Sequence, residues 1–232
     1  MELKRYAFFD VDKTIYDGYS TPDFLKFLAA NGVVDKKVID DYAKLDLKLW
    51  KGKITYSDIT IESTELFARS VKGLKDIDLQ EFENDFFLKQ GRLFLWVPKV
   101  MDYLYENSFE IILISATVHP ILDTFGRFLP VTNYFGSELE ILDGVYTGKV
   151  LKTLNNGGKS EVIKKVLKDV PKNSLTIGFG DSPGDIEMLR SVDTAFVINP
   201  HNEELLMEIN RNGWNVTMDA NEMIKIIEEK II

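Results

Sequence analysis

Four short apolar runs, set widely apart, constrain this chain most: residues 6–9, 109–114, 175–179 and 195–198. Each reads as a strand buried on both faces. Helical patterns lie between and after them, at residues 98–107, 159–168, 185–192, 203–212 and 221–232. This alternation predicts an α/β fold whose sheet is mainly parallel and covered by helices on both sides. Residues 132–141 and 145–150 flank Asp143-Gly144, which predicts a hairpin with a tight turn.

The interval between the first two runs has another character. Phe24, Phe27 and Leu28 form one helical stripe, and Val38, Tyr42, Leu45 and Leu49 a second. Ile59, Ser63, Leu66 and Phe67 suggest a third helix, and Leu79, Phe82 and Phe86 a fourth. Asn31-Gly32, Gly52 and Gly73 mark the breaks. The expectation is a small helical bundle inserted after the first strand, so residues 1–16 and 95–232 form an α/β core and residues 17–94 an insertion.

The first strand ends on Asp10-Val11-Asp12-Lys13-Thr14. Open α/β sheets bind ligands at the carboxyl ends of their strands, so these acids stand where chemistry is done. Two carboxylates this close repel unless a cation organises them; a plain Asp-rich turn is the alternative. Composition narrows the cation. With no cysteine and two histidines, His119 and His201, thiolate and His-rich sites are excluded, leaving oxygen ligands and a hard ion such as magnesium. A formal charge of -9 argues against a nucleic-acid surface. No apolar run approaches the ~20 residues of a membrane span, and Met1 to Arg5 leads straight into the first strand. A soluble cytoplasmic protein is expected.

Three further polar clusters stand at expected element ends. Ser115 closes the second strand, where it offers either an anion site or a simple helix cap. Lys159 follows a Gly-Gly pair at a helix start, against the helix dipole, which suits an anionic partner or an ordinary solvated lysine. Gly180-Asp181-Ser182-Pro183-Gly184-Asp185 follows the third run, as a metal-binding loop or a turn.

Together and in this order, the clusters resemble the four motifs of the haloacid dehalogenase-like hydrolase superfamily: Asp-x-Asp-x-Thr, Ser/Thr, Lys and Gly-Asp-x-x-x-Asp. Gly144-Val145-Tyr146-Thr147-Gly148, Ile198-Asn199-Pro200 and Gly213-Trp214 are similar to its phosphoserine-phosphatase-like branch. The resemblance implies a Rossmann-like core with a C1-type helical cap, and a magnesium-dependent phosphatase acting on a small phosphorylated metabolite. Asp10 is then the nucleophile that forms an aspartyl-phosphate, and Asp12 the general acid and base. Asp10, Asp181 and the Asp12 carbonyl hold the metal. Ser115, Lys159 and the amides of Val11, Asp12 and Ala116 grip the phosphoryl group, while Thr14 and Asp185 support them from behind.

Phosphoryl transfer to a second alcohol uses the same intermediate, and a non-catalytic module sensing a phosphorylated metabolite would use the same cleft. Selectivity is expected to lie in the insertion and in residues 15–22. Phosphoserine phosphatases carry a glutamate in that loop for the substrate ammonium; here stand Tyr16, Asp17, Gly18, Tyr19, Ser20 and Thr21, which argues against phosphoserine. Asp17 is the substitute on offer. Tyr16, Tyr19 and Trp50 are candidates for an aromatic pocket, Arg69 and Arg92 for a second anion. The insertion is expected to close over the cleft, hinged near residues 17–20 and 91–98.

Overall fold

The separated apolar runs come together as one sheet. The computed structural model describes residues 4–154, 156–168, 171 and 174–231. Residues 1–3, Asn155 of the glycine-rich lead-in and Ile232 of the last expected helix lie outside these.

The strands are β1 (Arg5–Phe9), β2 (Phe109–Val118), β3 (Asn133–Leu142), β4 (Val145–Lys152), β5 (Leu175–Gly180), β6 (Thr194–Val197) and β7 (Asn215–Val216). They lie in the order β4-β3-β2-β1-β5-β6-β7. All neighbours are parallel except β3 and β4, the hairpin pair. Its turn places Asp143 at φ 52° and Gly144 at φ 75°, the left-handed pair that a tight hairpin requires.

Ten α-helices accompany the sheet among the described residues. Four fall between β1 and β2's lead-in: α1 (Ser20–Ala30), α2 (Lys37–Trp50), α3 (Tyr56–Ser70) and α4 (Asp76–Gln90). The others are α5 (Val97–Glu106), α6 (His119–Phe128), α7 (Asn156–Leu167), α8 (Ile186–Arg190), α9 (Glu203–Asn212) and α10 (Ala220–Ile231). None among the described residues is long and apolar enough to cross a membrane.

Alternation along β1 shows how the layers form. Ala7 and Phe9 join one apolar cluster with Met101 of α5, Phe125 of α6 and Ile227 of α10. Tyr6 and Phe8 join another with Ile163 of α7, Leu189 of α8 and Leu205 of α9. With helices on both faces, every β1 residue from Tyr6 onward is buried, which explains the continuous apolar run.

Two expectations near the site need correction. The second run does not stop at Ile114: β2 continues through Ser115 to Val118, so Ser115 caps no helix. Its partner β3 supplies the reason, because pairing resumes at Val118 opposite Ser137, and Ser137 Oγ donates to the Ala116 carbonyl at 2.7 Å. The helix begins instead at His119-Pro120, where proline's missing N–H costs nothing. Similarly, α7 starts at Asn156, so Lys159 lies within its first turn rather than opening it. The short β7 was not expected.

Helices α1 to α4 pack around an aromatic centre in which the Phe24 ring lies 5.2 Å from Phe86 and 6.0 Å from Phe67. The chain enters and leaves this bundle side by side: the Asp17 amide donates to the Arg92 carbonyl at 2.6 Å, and that of Phe94 to the Ile15 carbonyl at 3.1 Å. A second tie joins the α3–α4 turn to the hairpin. The Gly73 amide donates to the Tyr146 carbonyl, the Tyr146 amide to the Leu74 carbonyl and the Asp76 amide to the Gly144 carbonyl, at 2.8, 3.0 and 2.9 Å.

A third tie is charged. Glu83 of α4, 2% exposed, accepts from Arg127 of α6 at 2.7 Å and from Thr124 at 3.3 Å. Burial pushes the Glu83 carboxyl up to about 7, although Arg127 opposes the shift. The fold therefore favours protonated Glu83, a contribution present below its ordinary range and lost as pH rises through 7. Replacing Arg127 by methionine removes the opposing cation and raises this carboxyl further. The expected loss is about 2–3 kcal/mol at pH 8, roughly 5–10 °C in Tm. At pH 5, where Glu83 is protonated, the loss is smaller; thermal melts showing the larger loss at pH 5 would refute the account.

Candidate active site

The site lies where β1 and β5 end side by side. The Asp10 amide donates to the Phe179 carbonyl at 3.0 Å, which continues the ladder by one step and sets Asp10 at the sheet's edge. The loop then tightens: Lys13 takes φ 63°, and the Val11 carbonyl accepts from the amides of Thr14, Ile15 and Tyr16 at 2.9–3.2 Å. Thr14, fully buried, reaches back with Oγ1 to Asp10 Oδ2 and Asp181 Oδ1, each at 3.4 Å.

Lys159 projects from the first turn of α7 between two carboxylates, with Nζ donating to Asp10 Oδ1 and Asp185 Oδ1 at 2.6 Å each. Asp185's other oxygen accepts from the Ser182 amide, the Ser182 hydroxyl and the Asp181 amide at 3.0, 2.8 and 3.2 Å. This fixes the Gly180–Asp185 loop against the lysine. A side chain at Gly180 would place its Cβ 2.6 Å from Asp185 Cβ, so the loop needs glycine there.

One oxygen from each of Asp10, Asp181 and Asp185 lies within 4.8 Å of the others. Such crowding is costly for three anions. Burial raises Asp10 to about 6 despite Lys159, and raises Asp181 to about 9, with Asp10 and Asp185 adding to the rise. Burial opposes the charge on Lys159, but Asp10 and Asp185 outweigh it and hold its pKa above the ordinary lysine range. An all-oxygen donor set of two buried carboxylates and one half-buried one, mutually repelling, suits a hard divalent cation.

Asp12 turns away from this cluster. Its Oδ1 accepts from the Ser20 amide at 2.8 Å and its Oδ2 from Thr117 Oγ1 at 3.4 Å. Burial raises it to about 7, against the lowering effect of Ser20. Thr117 also bonds Ser115 Oγ at 3.2 Å and Ser20 Oγ at 3.0 Å, linking β2 to the start of α1. Ser20 and Thr117 lie outside the four sequence motifs. Their position two strand residues from Ser115, or at a loop end, carries no signal until the segments meet.

Above Asp12, Ala116 and Thr117 opens a cleft of about 340 Å³, walled by α1, α2 and α3. Of the aromatic residues expected there, Tyr19 lines it. Trp50 is 82% exposed and does not, because it ends α2 on the outer face. Tyr16 is buried beneath, with its hydroxyl 3.2 Å from Asp23. Tyr42 and Tyr56 line the cleft in their place. The proposed anion binders are engaged elsewhere: Arg69 pairs with Glu65 at 3.4 Å and Arg92 with Asp23 at 3.2 Å. Asp17 is exposed and faces Lys13 at 3.4 Å, outside the cleft lining.

Residues 7–190 match the family model of haloacid dehalogenase-like hydrolases, so the chain belongs to that family and is an enzyme of the hydrolase class. Its relatives support the phosphoserine-phosphatase-like branch. The phosphoserine phosphatase SerB1 of Mycobacterium tuberculosis is 25% identical over 224 residues, 93% of this chain and 71% of the relative. In fold, the chain is similar to a Bordetella pertussis protein of unknown function, with TM-score 0.78, 20% identity and coverage of 94% of this chain and 100% of that one. It is also similar to a phosphoserine phosphatase in a phospho-aspartyl intermediate analogue, with TM-score 0.64, 16% identity and coverage of 97% and 99%.

Proposed function

We propose that the protein is a magnesium-dependent phosphatase that hydrolyses a small phosphomonoester through an aspartyl-phosphate on Asp10. The convergence of Asp10, Lys159 and the Asp181–Asp185 loop from three distant segments carries this reading. Asp10, Asp181 and the Asp12 backbone carbonyl would hold the ion, whose chemistry is to neutralise phosphoryl charge and so permit attack by an anion.

The chain's own groups supply the remainder. Ser115, the Ala116 amide and Lys159 grip the phosphoryl oxygens. Asp10 attacks phosphorus as the ester oxygen departs. Asp12, with its carboxyl at about 7, is protonated often enough at neutral pH to give that oxygen a proton. Once ionised, it takes a proton from the water that attacks the acyl phosphate, releasing inorganic phosphate and restoring both acids. Thr14 and Asp185 act as positioning residues, Thr14 on Asp10 and Asp181, Asp185 on Lys159. Residues 17–94 serve as a cap over the core of residues 1–16 and 95–232. The paired connectors at Asp17–Arg92 and Ile15–Phe94 supply the hinge line.

The test is release of inorganic phosphate from p-nitrophenyl phosphate. Turnover should require magnesium and fall at least about 100-fold in a chelator. Equal rates with and without the ion would reject the reading. Adding acceptor alcohols separates hydrolysis from transfer, since transfer lowers free phosphate relative to nitrophenol.

A further inference from the structure

We infer that the alcohol part of the substrate carries a protonated amine and no carboxylate, and that Asp46 of α2 selects it. The inference rests on the phosphatase reading of the same site. The charged side chains lining the cleft are Asp12, Asp23, Lys26 and Asp46. Asp12 serves the proton transfers proposed above and accepts from the Ser20 amide and Thr117. Lys26 Nζ lies 3.3 Å from Oδ1 of Asp23, which Arg92 also approaches at 3.2 Å through Oδ2, and Lys26 acts through space on Asp46 as well, so the one cation of the lining faces three carboxylates.

Asp46, exposed at the cleft, differs from these: it has no hydrogen bond or ion pair among the described residues, and Lys26 reaches it only through space. Tyr19, Tyr42 and Tyr56 line the same cleft; Lys13 already lies over the Tyr19 ring at 5.6 Å, which leaves Tyr42 and Tyr56 as the rings beside this carboxylate. An ammonium entering the cleft gains a charge partner and ring faces together. A substrate carboxylate meets a lining in which three acids outnumber one lysine, with Asp46 as a like charge, which is rejection by repulsion. With the phosphoryl group held beside Ala116, which lines the same cleft, the lining would therefore sort an ester into anionic head and cationic tail.

Four probes at fixed magnesium test this: O-phosphoethanolamine, ethyl phosphate, O-phosphoserine and p-nitrophenyl phosphate. For the wild type, kcat/KM for phosphoethanolamine should exceed that for ethyl phosphate and for phosphoserine by about tenfold each. In Asp46→Asn the phosphoethanolamine-to-ethyl phosphate ratio should fall about threefold, chiefly through KM, the rings retaining the rest, while the unfavourable discrimination against phosphoserine narrows. Turnover of p-nitrophenyl phosphate with no amine preference, or with a preference that Asp46→Asn leaves undiminished, overturns the inference alone. No turnover of any ester overturns the phosphatase reading, and this inference with it.

Discussion

Asp10→Asn should lower phosphate release by at least about 10⁴-fold, the scale lost when a covalent nucleophile is removed. Asparagine keeps the shape of the carboxylate but cannot displace an ester oxygen from phosphorus. The fold should survive, because the substitution removes the desolvation cost of a buried charge and its repulsion from Asp185, while Lys159 keeps its contact with Asp185. The check pairs single-turnover kinetics with a melting curve. Activity within tenfold of the wild type would remove Asp10 from the nucleophile's role; collapse of the fold would show that its carboxylate is needed structurally.

The second large effect belongs to Lys159→Met. This removes the cation that bridges the buried Asp10 and Asp185 and leaves them crowded against each other and the half-buried Asp181. Breaking such a pair costs about 3–5 kcal/mol, or roughly 10–15 °C in Tm for a chain of this size. The pH dependence has a definite sign. Asp10 and Asp181 are raised to about 6 and about 9, so the folded state takes up protons that the unfolded chain releases. Their contribution is present at low pH and lost as pH rises through 6 to 9. The variant should therefore be hurt most at pH 8, least at pH 5, and partly rescued by magnesium. A melting temperature unchanged at pH 8 would contradict this placement of charge.

Much of the frame was legible in the residues because local chemistry decides it. The strand of residues 6–9 is apolar at every position, and Asp143-Gly144 announces its own turn. Gly32, Gly52 and Gly73 each take the left-handed conformation at a bundle break. The acids Asp10 and Asp181 stand where strands end, which is a local property too.

What was hidden depends on partners far along the chain. Ser115 looks like a helix cap unless one knows that β3 pairs across it some twenty residues later. The α2 stripe looks uniform in sequence, yet Val38 and Leu45 are buried in the core while Tyr42 and Leu49, packed against its edge, also line the cleft. Periodicity reports which face of a helix is apolar, not what that face meets. Trp50 misled for the same reason: a large ring is read as a wall, but its place at the end of α2 leaves it in water.

The strap that Gly73–Asp76 lays along the start of β4 has a consequence for solution behaviour. An open sheet offers its outermost backbone to any stranger with matching donors and acceptors. Here one rim is the two-residue β7. The other is occupied at Val145 and Tyr146 by the chain itself, with Lys149 and Lys152 spaced along the rest. Neither rim offers a long, neutral template, so concentrated protein should resist assembling through its sheet.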